Sequence, residues 1–164
     1  MRNIFVISDT HWGHANIIQY SNRPFSSLEE MNEKMIENWN NVVRDQDVVY
    51  HLGDVYFSKN HGDFYKRLRG RKRLILGNHD SGKDKLLLDT FQKIVVWRMF
   101  PEFRLLLTHV PVHPYAMEDH STRKFERNIH GHVHLNSLKD DRYINVSCEL
   151  INYTPVNIEQ YRVK

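Results

Sequence analysis

Five short apolar runs along this chain break off at polar blocks, and that repeated break restricts what the chain can become. The blocks are Asp9-Thr10-His11, Gly53-Asp54, Gly77-Asn78-His79-Asp80, Thr108-His109 and Gly131-His132-Val133-His134. The runs before them, among them Ile4-Phe5-Val6-Ile7, Leu74-Ile75-Leu76 and Leu105-Leu106-Leu107, read as buried β-strands. Each block therefore sits at the carboxyl end of a strand, the place where open α/β sheets bind ligands.

Helical patterns fill several of the gaps. Ser26 and Ser27 stand at capping-box spacing from Glu29 and Glu30, and Leu28, Met31, Met35, Ile36 and Trp39 recur at helical period. The pattern predicts an amphipathic helix over Ser27–Asn41. Further helices are expected over His61–Leu68, ended by Gly70, over Lys83–Phe91 and over Glu118–Arg127. Strands are expected at Ile4–Ser8, Asp47–Leu52, Arg73–Leu76, Ile94–Phe100, Arg104–Thr108, Tyr143–Ser147 and Val156–Val163. Helices separate strands in the first half and strands dominate the second, which suits an α/β layered sandwich. With 164 residues and no repeat or low-complexity linker, residues 1–164 read as one domain.

Composition narrows the class further. At 40% hydrophobic the chain can bury a core. Its charge of +3 and pI near 9.0 suit an anionic partner. Cys148 is the only cysteine, so an intramolecular disulfide is impossible and a reducing compartment is expected. No stretch approaches the roughly 18 apolar residues of a membrane span, and Asp9 interrupts the first apolar run too early for a signal peptide. A cytoplasmic protein without a membrane partner is the expectation. The basic run Gly70-Arg71-Lys72-Arg73 reads as a solvated turn between helix and strand.

Taken singly, the blocks are weak signals. In extended chain Asp9 and His11 point to one face, as do His132 and His134, and carboxylate with imidazole suits a hard or borderline divalent ion. Yet Ser8-Asp9-Thr10 and Gly53-Asp54 are also ordinary turn chemistry, and a lone histidine is commonly structural. Together the blocks supply seven nitrogen or oxygen ligands and one further histidine. Such a set is enough for two adjacent metal ions.

The series Asp9-x-His11, Gly53-Asp54, Gly77-Asn78-His79-Asp80, His109 and Gly131-His132-x-His134 resembles the calcineurin-like metallophosphoesterase superfamily, in particular its small single-domain bacterial and phage members. The resemblance implies a four-layer α/β/β/α sandwich with a dinuclear site at one edge of the sheets. By motif position Asp9, His11 and His134 would hold one metal. Asn78, His109 and His132 would hold the other, with Asp54 bridging and His79 left outside as the catalytic histidine. Manganese or iron is what the resemblance suggests, and zinc or nickel also fit the ligand types. The implied reaction is hydrolysis of phosphate esters, phosphodiesters foremost, by a metal-activated hydroxide. Two divalent ions bring four positive charges, of which Asp9, Asp54 and a hydroxide cancel three, leaving a net charge of about +1 for a phosphate ester.

One departure is informative. The superfamily's protein phosphatases follow Gly-Asp with an Asp-Arg pair, whereas Asp54 is followed by Val55-Tyr56-Phe57-Ser58. Small phosphate esters or nucleotides are then the expected substrates. A phosphomonoesterase and a nuclease acting on nucleic acid are alternatives, and a non-catalytic scaffold is a further one. Near the blocks, Trp12 is a candidate for stacking on a base, Arg23 for gripping phosphate, and His14 and His113 for lining the site. His51, His61, His120 and His130 read as structural or surface residues.

Overall fold

The computed structural model describes residues 2–58, 61, 63–118 and 124–163. Strand β1 (Ile4–Ile7) leads through helices α1 (Ile17–Tyr20) and α2 (Leu28–Val42) to β2 (Val48–His51). Helix α3 (Phe64–Arg67), β3 (Arg71–Ile75), helix α4 (Lys85–Thr90) and β4 (Lys93–Val95) follow. The second half contributes β5 (Trp97–Phe100), β6 (Leu105–Thr108), β7 (Arg127–His130), β8 (Tyr143–Asn145) and β9 (Val156–Asn157). A five-stranded sheet has the order β4-β3-β2-β1-β9, and a four-stranded sheet the order β5-β6-β7-β8.

In the first sheet β1 to β4 are parallel and β9 is antiparallel. In the second, β6 to β8 are parallel and β5 is antiparallel. The apolar runs alternate between two cores, which is why they lack polar positions. Phe5, Ile7, Val49 and Leu74 face a helical core with Met31, Met35, Trp39, Phe64 and Leu87. Val6, Val48, Tyr50 and Ile75 face Leu105, Leu107, Ile129 and Val146 of the second sheet. Each large side chain buried in this way stabilises the fold by about 1.5–3 kcal/mol.

On the outer face of the second sheet, residues 111–118 form the remaining layer, with a 3-10 turn at Pro114–Met117. Buried Asn128 fastens it, accepting from the Val112 amide at 3.0 Å and donating to the Leu106 carbonyl at 3.1 Å. The expected layered sandwich is thus present: two sheets packed face to face and flanked by helical segments.

Several boundaries shift for local reasons. Helix α2 starts after Ser27, whose hydroxyl accepts the Glu30 amide at 3.1 Å, but the Glu30 carboxylate returns to the Ser26 amide, one residue earlier than in a capping box. The helix predicted from His61 begins only at Phe64, because Asp63 adopts a left-handed conformation with φ of 51°. Arg71–Arg73 are strand, not turn: β3 needs them to pair with Val48–Tyr50. The run Ile94–Phe100 is two strands in two sheets, with the chain crossing at exposed Val96. The Glu118–Arg127 helix is not seen where it is described, since Glu118 lies beyond the 3-10 turn and Arg127 opens β7; residues 119–123 fall outside the described residues. The last expected strand is two residues long and turns into a 3-10 segment at Ile158–Tyr161.

Candidate metal centre

All five polar blocks follow parallel strands at one end of the sandwich. Beyond β1 and β8 the sheets join, with the Ser8 amide donating to Val146 and the Cys148 amide donating to Ser8. That junction brings Asp9 beside Ser147, whose hydroxyl donates to Asp9 Oδ2 at 2.9 Å.

The candidate ligands do not converge from extended chain, in which Asp9 with His11, and His132 with His134, would share a face. Asp9, His11, Asp54, His132 and His134 all have positive φ, between 49° and 70°. Three of the five blocks, those at Asp9, Asp54 and His132, are therefore left-handed turns, a conformation that costs non-glycine residues energy and persists only where surrounding structure enforces it. Glycines provide the clearance. A Cβ on Gly131 would overlap Ser8 and the Asp9 carboxylate, and one on Gly77 would overlap Asp54.

The turns gather two clusters, Asp9 with His11 and His134, and Asp54 with His109 and His132; within each cluster the ligand atoms lie within 4.8 Å of one another. Asn78 completes the second, its Oδ1 lying 2.9 Å from both His109 Nε2 and His132 Nδ1. Asp54 stands between them: its Oδ2 is 3.5 Å from His109 Nε2 and 3.8 Å from His11 Nε2. Both ring nitrogens of His11 are buried without a hydrogen-bond partner. An unsatisfied buried polar atom costs about 1–3 kcal/mol, so this ring fits a site in which a cation is its partner.

The other rings are oriented from behind. His109 Nδ1–H donates to the Leu52 carbonyl at 2.7 Å, which aims Nε2 at Asp54 and Asn78. His134 Nδ1 meets Glu149 Oε1 at 2.9 Å, which turns its Nε2 toward Asp9 at 4.0 Å. A carboxylate or carbonyl behind a histidine fixes its tautomer and raises its basicity, as ligand histidines require.

Charge distribution agrees with geometry. Burial pushes the His11 imidazole down to about 3 despite nearby Asp54, so the ring is neutral and its lone pair available. Burial alone would raise the Asp54 carboxyl, but the hydrogen bond and charge of His109 bring it to about 2, so it is an anion. Burial raises the Asp9 carboxyl, outweighing the opposing charges of His109 and His134.

Two residues important here lie outside the candidate site set, although Asp80 belongs to one of the five blocks. Glu149 also accepts from buried Arg23, at 3.0 Å to Nε and 2.7 Å to Nη2. Its signal was present: Ser147-Cys148-Glu149 follows a strand as the other blocks do. Asp80 accepts the amides of Asp54, Val55 and Gly77 at 2.8, 3.0 and 2.9 Å, so it ties the Asp54 turn to the Asn78 turn.

The remaining candidates divide. His79 is exposed; its amide donates to Asp54 Oδ1 at 3.0 Å and its ring centroid is 5.8 Å from that of His11. His14 is half-buried beside them, its centroid 5.8 Å from that of His11. Three expectations are corrected. Arg23 is not free for phosphate: it is 4% exposed, and besides Glu149 it donates to the Asp9 and Thr10 carbonyls at 2.7 and 2.9 Å. Trp12 cannot receive a base, because it is fully buried and stacks on Phe64 at 5.0 Å. His113 caps the Pro114 turn and lines a separate cavity with Val112, Leu138 and Tyr143, away from the two clusters. His51 and His130 are buried and hydrogen-bonded; His120 lies outside the described residues.

A two-sheet sandwich with paired His/carboxylate clusters at its strand ends defines a phosphoesterase-type fold. The chain belongs to the calcineurin-like phosphoesterase superfamily, whose domain it matches over residues 1–152. It is 41% identical over 170 residues to an uncharacterized protein of Methanocaldococcus jannaschii, covering 97% of this chain and 89% of that one. It is also 29% identical over 164 residues to the gene 66 protein of Mycobacterium phage L5, covering 82% and 78% respectively. Among solved structures, a protein of unknown function from Aquifex aeolicus superposes with a TM-score of 0.77 at 28% identity, covering 98% of this chain and 97% of that chain. An archaeal phosphodiesterase shares the fold at a TM-score of 0.54 and 19% identity, covering 90% and 85%. No described helix is long and apolar enough to cross a membrane.

Proposed function

We propose that this protein hydrolyses phosphate esters, phosphodiesters foremost, using two divalent metal ions. Membership of the phosphoesterase superfamily supports the reaction class. The observation that carries the metal reading is His11, a buried imidazole with two unpartnered nitrogens inside a ring of carboxylates and histidines. Asp9, His11 and His134 would hold one ion; Asn78, His109 and His132 would hold the other, and Asp54 would serve both. The donor set contains oxygen and nitrogen and no thiolate, which suits manganese or iron and also accommodates zinc or nickel. Bound ions of this kind supply Lewis-acid activation of water and neutralise phosphate charge.

The chain's own residues do the rest. Asp54, held as an anion, keeps the two clusters in register. Glu149 and the Leu52 carbonyl present the Nε2 lone pairs of His134 and His109. His79, exposed and hinged to Asp54 through its amide, is placed to give a proton to the leaving oxygen or to hold a phosphoryl oxygen; such general acid catalysis contributes about 10²–10⁴-fold. The substrate is a small phosphate ester, a nucleotide or a nucleic-acid strand.

The test is elemental analysis of purified protein together with hydrolysis of bis- and mono-(p-nitrophenyl) phosphate after manganese loading. Two equivalents of metal with diester turnover are expected. A protein that binds no metal and stays inactive after loading would instead be a scaffold.

A further inference from the structure

Beside the metal centre lies a cavity of about 220 Å³ walled by Tyr56, Phe57, His79, Asp80, Ser81 and Asp84. It is smaller than the roughly 300–1,000 Å³ of sites that enclose a drug-sized ligand, so it has room for one ring system, not a whole dinucleotide. Phe57 is 51% exposed although it is large and apolar, and it stands at the centre of the site's aromatic groups. Its ring centroid is 4.3 Å from that of His14 and 5.5 Å from that of His79. The lining also carries two carboxylates. Asp80 is committed to three backbone amides, and Asp84 accepts from the Tyr56 hydroxyl at 2.6 Å and from the Leu87 amide at 3.1 Å. Among the described residues, no lysine or arginine lines the cavity.

From these contacts we infer that the cavity is a leaving-group subsite, in which Phe57 stacks against an uncharged ring and Asp80 and Asp84 turn away further phosphate. The inference rests on the phosphoesterase reading above, because His79 forms the wall shared with the metal centre and so sets which side of the ester departs. The preferred substrates are esters whose leaving group is a nucleoside or aryl alcohol. Esters whose leaving group is itself phosphate, as in nucleoside di- and triphosphates, are poor substrates, since a negative group would enter a cavity lined by two carboxylates.

The test compares esters with aryl and alkyl leaving groups. On manganese-loaded protein, Phe57→Ala lowers the aryl-to-alkyl ratio of kcat/KM about tenfold, within the range set by one aromatic stack, and Phe57→Trp restores it. Asp84→Asn keeps a capping oxygen for helix α4 and raises relative turnover of an ester that releases phosphate. Calorimetry with phenylphosphonate and methylphosphonate supplies a readout that needs no turnover: the wild type binds the phenyl compound more tightly, and Phe57→Ala abolishes that preference. Equal losses on aryl and alkyl esters, without rescue by tryptophan, overturn the subsite. If no ester is hydrolysed the proposed reaction fails, while the calorimetric preference still decides whether the subsite exists.

Discussion

Replacing Glu149 by Gln should cost the protein both stability and metal affinity. The carboxylate is buried, with a side-chain exposure of 2%, and it is the counter-charge of an Arg23 side chain that is 0% exposed. Burial would raise its pKa, but the His134 hydrogen bond and the Arg23 charge bring it from 4.5 down to about 2. A depressed carboxylate stabilises the fold above its unfolded pKa of 4.5, and that contribution is lost as pH falls toward 2. The difference corresponds to about 3 kcal/mol at pH 7, in line with the 3–5 kcal/mol for leaving a buried charge unpaired. Gln keeps the shape and one acceptor oxygen, so the loss reports the charge.

Urea unfolding of metal-free wild type and Glu149→Gln should therefore differ by about 3 kcal/mol at pH 7 and by about 1 kcal/mol at pH 3. Manganese affinity should fall about 10–100-fold, as when a partner behind a ligand histidine is removed. A double change, Arg23→Met with Glu149→Gln, should recover much of the stability because no unpaired charge remains. A stability difference below about 1 kcal/mol that does not vary with pH would refute the reasoning, since it would mean water reaches the pair.

Other expectations follow from single contacts. Asp80→Asn replaces an acceptor with a donor facing the amides of Asp54, Val55 and Gly77; losing one such bond to a charged group costs about 1.5–3 kcal/mol, visible as a lower Tm, and metal held around Asp54 should drop in elemental analysis. His79→Ala should reduce turnover by about 10²–10⁴-fold while bound metal stays at two equivalents, which separates a proton donor from a ligand. Trp12→Ala empties a fully buried space against Phe64 and should cost about 3–5 kcal/mol in chemical denaturation.

Asp9, Asp54, His109 and the His132/His134 pair were legible because each follows an apolar strand, and a change from apolar run to His or Asp is visible in one dimension. The left-handed turns at Asp9, His11, Asp54, His132 and His134 were not, because positive φ at these non-glycine residues is imposed by neighbours distant in sequence, such as the Asp80 carboxylate on the Asp54 turn. Arg23 and Trp12 looked available for substrate because an arginine and a tryptophan near a site have the same letters whether buried or exposed. Their commitment to Glu149 and Phe64 depends on pairs separated by 126 and 52 positions. The crossing at Val96 was hidden for a similar reason: the apolar pattern continues through it, and only the competition of two sheets for edge strands divides β4 from β5.

By itself, then, the sequence determined the strand ends, the chemical types gathered there and the family to which they belong. Those follow from local alternation and from donor atoms that no fold can change. Tertiary structure decided which of those atoms face one another, which cations are already neutralised, and which aromatic ring remains open beside His79. Burial and pairing are properties of the packed whole, since an atom's partner is whatever the fold brings within about 3 Å of it.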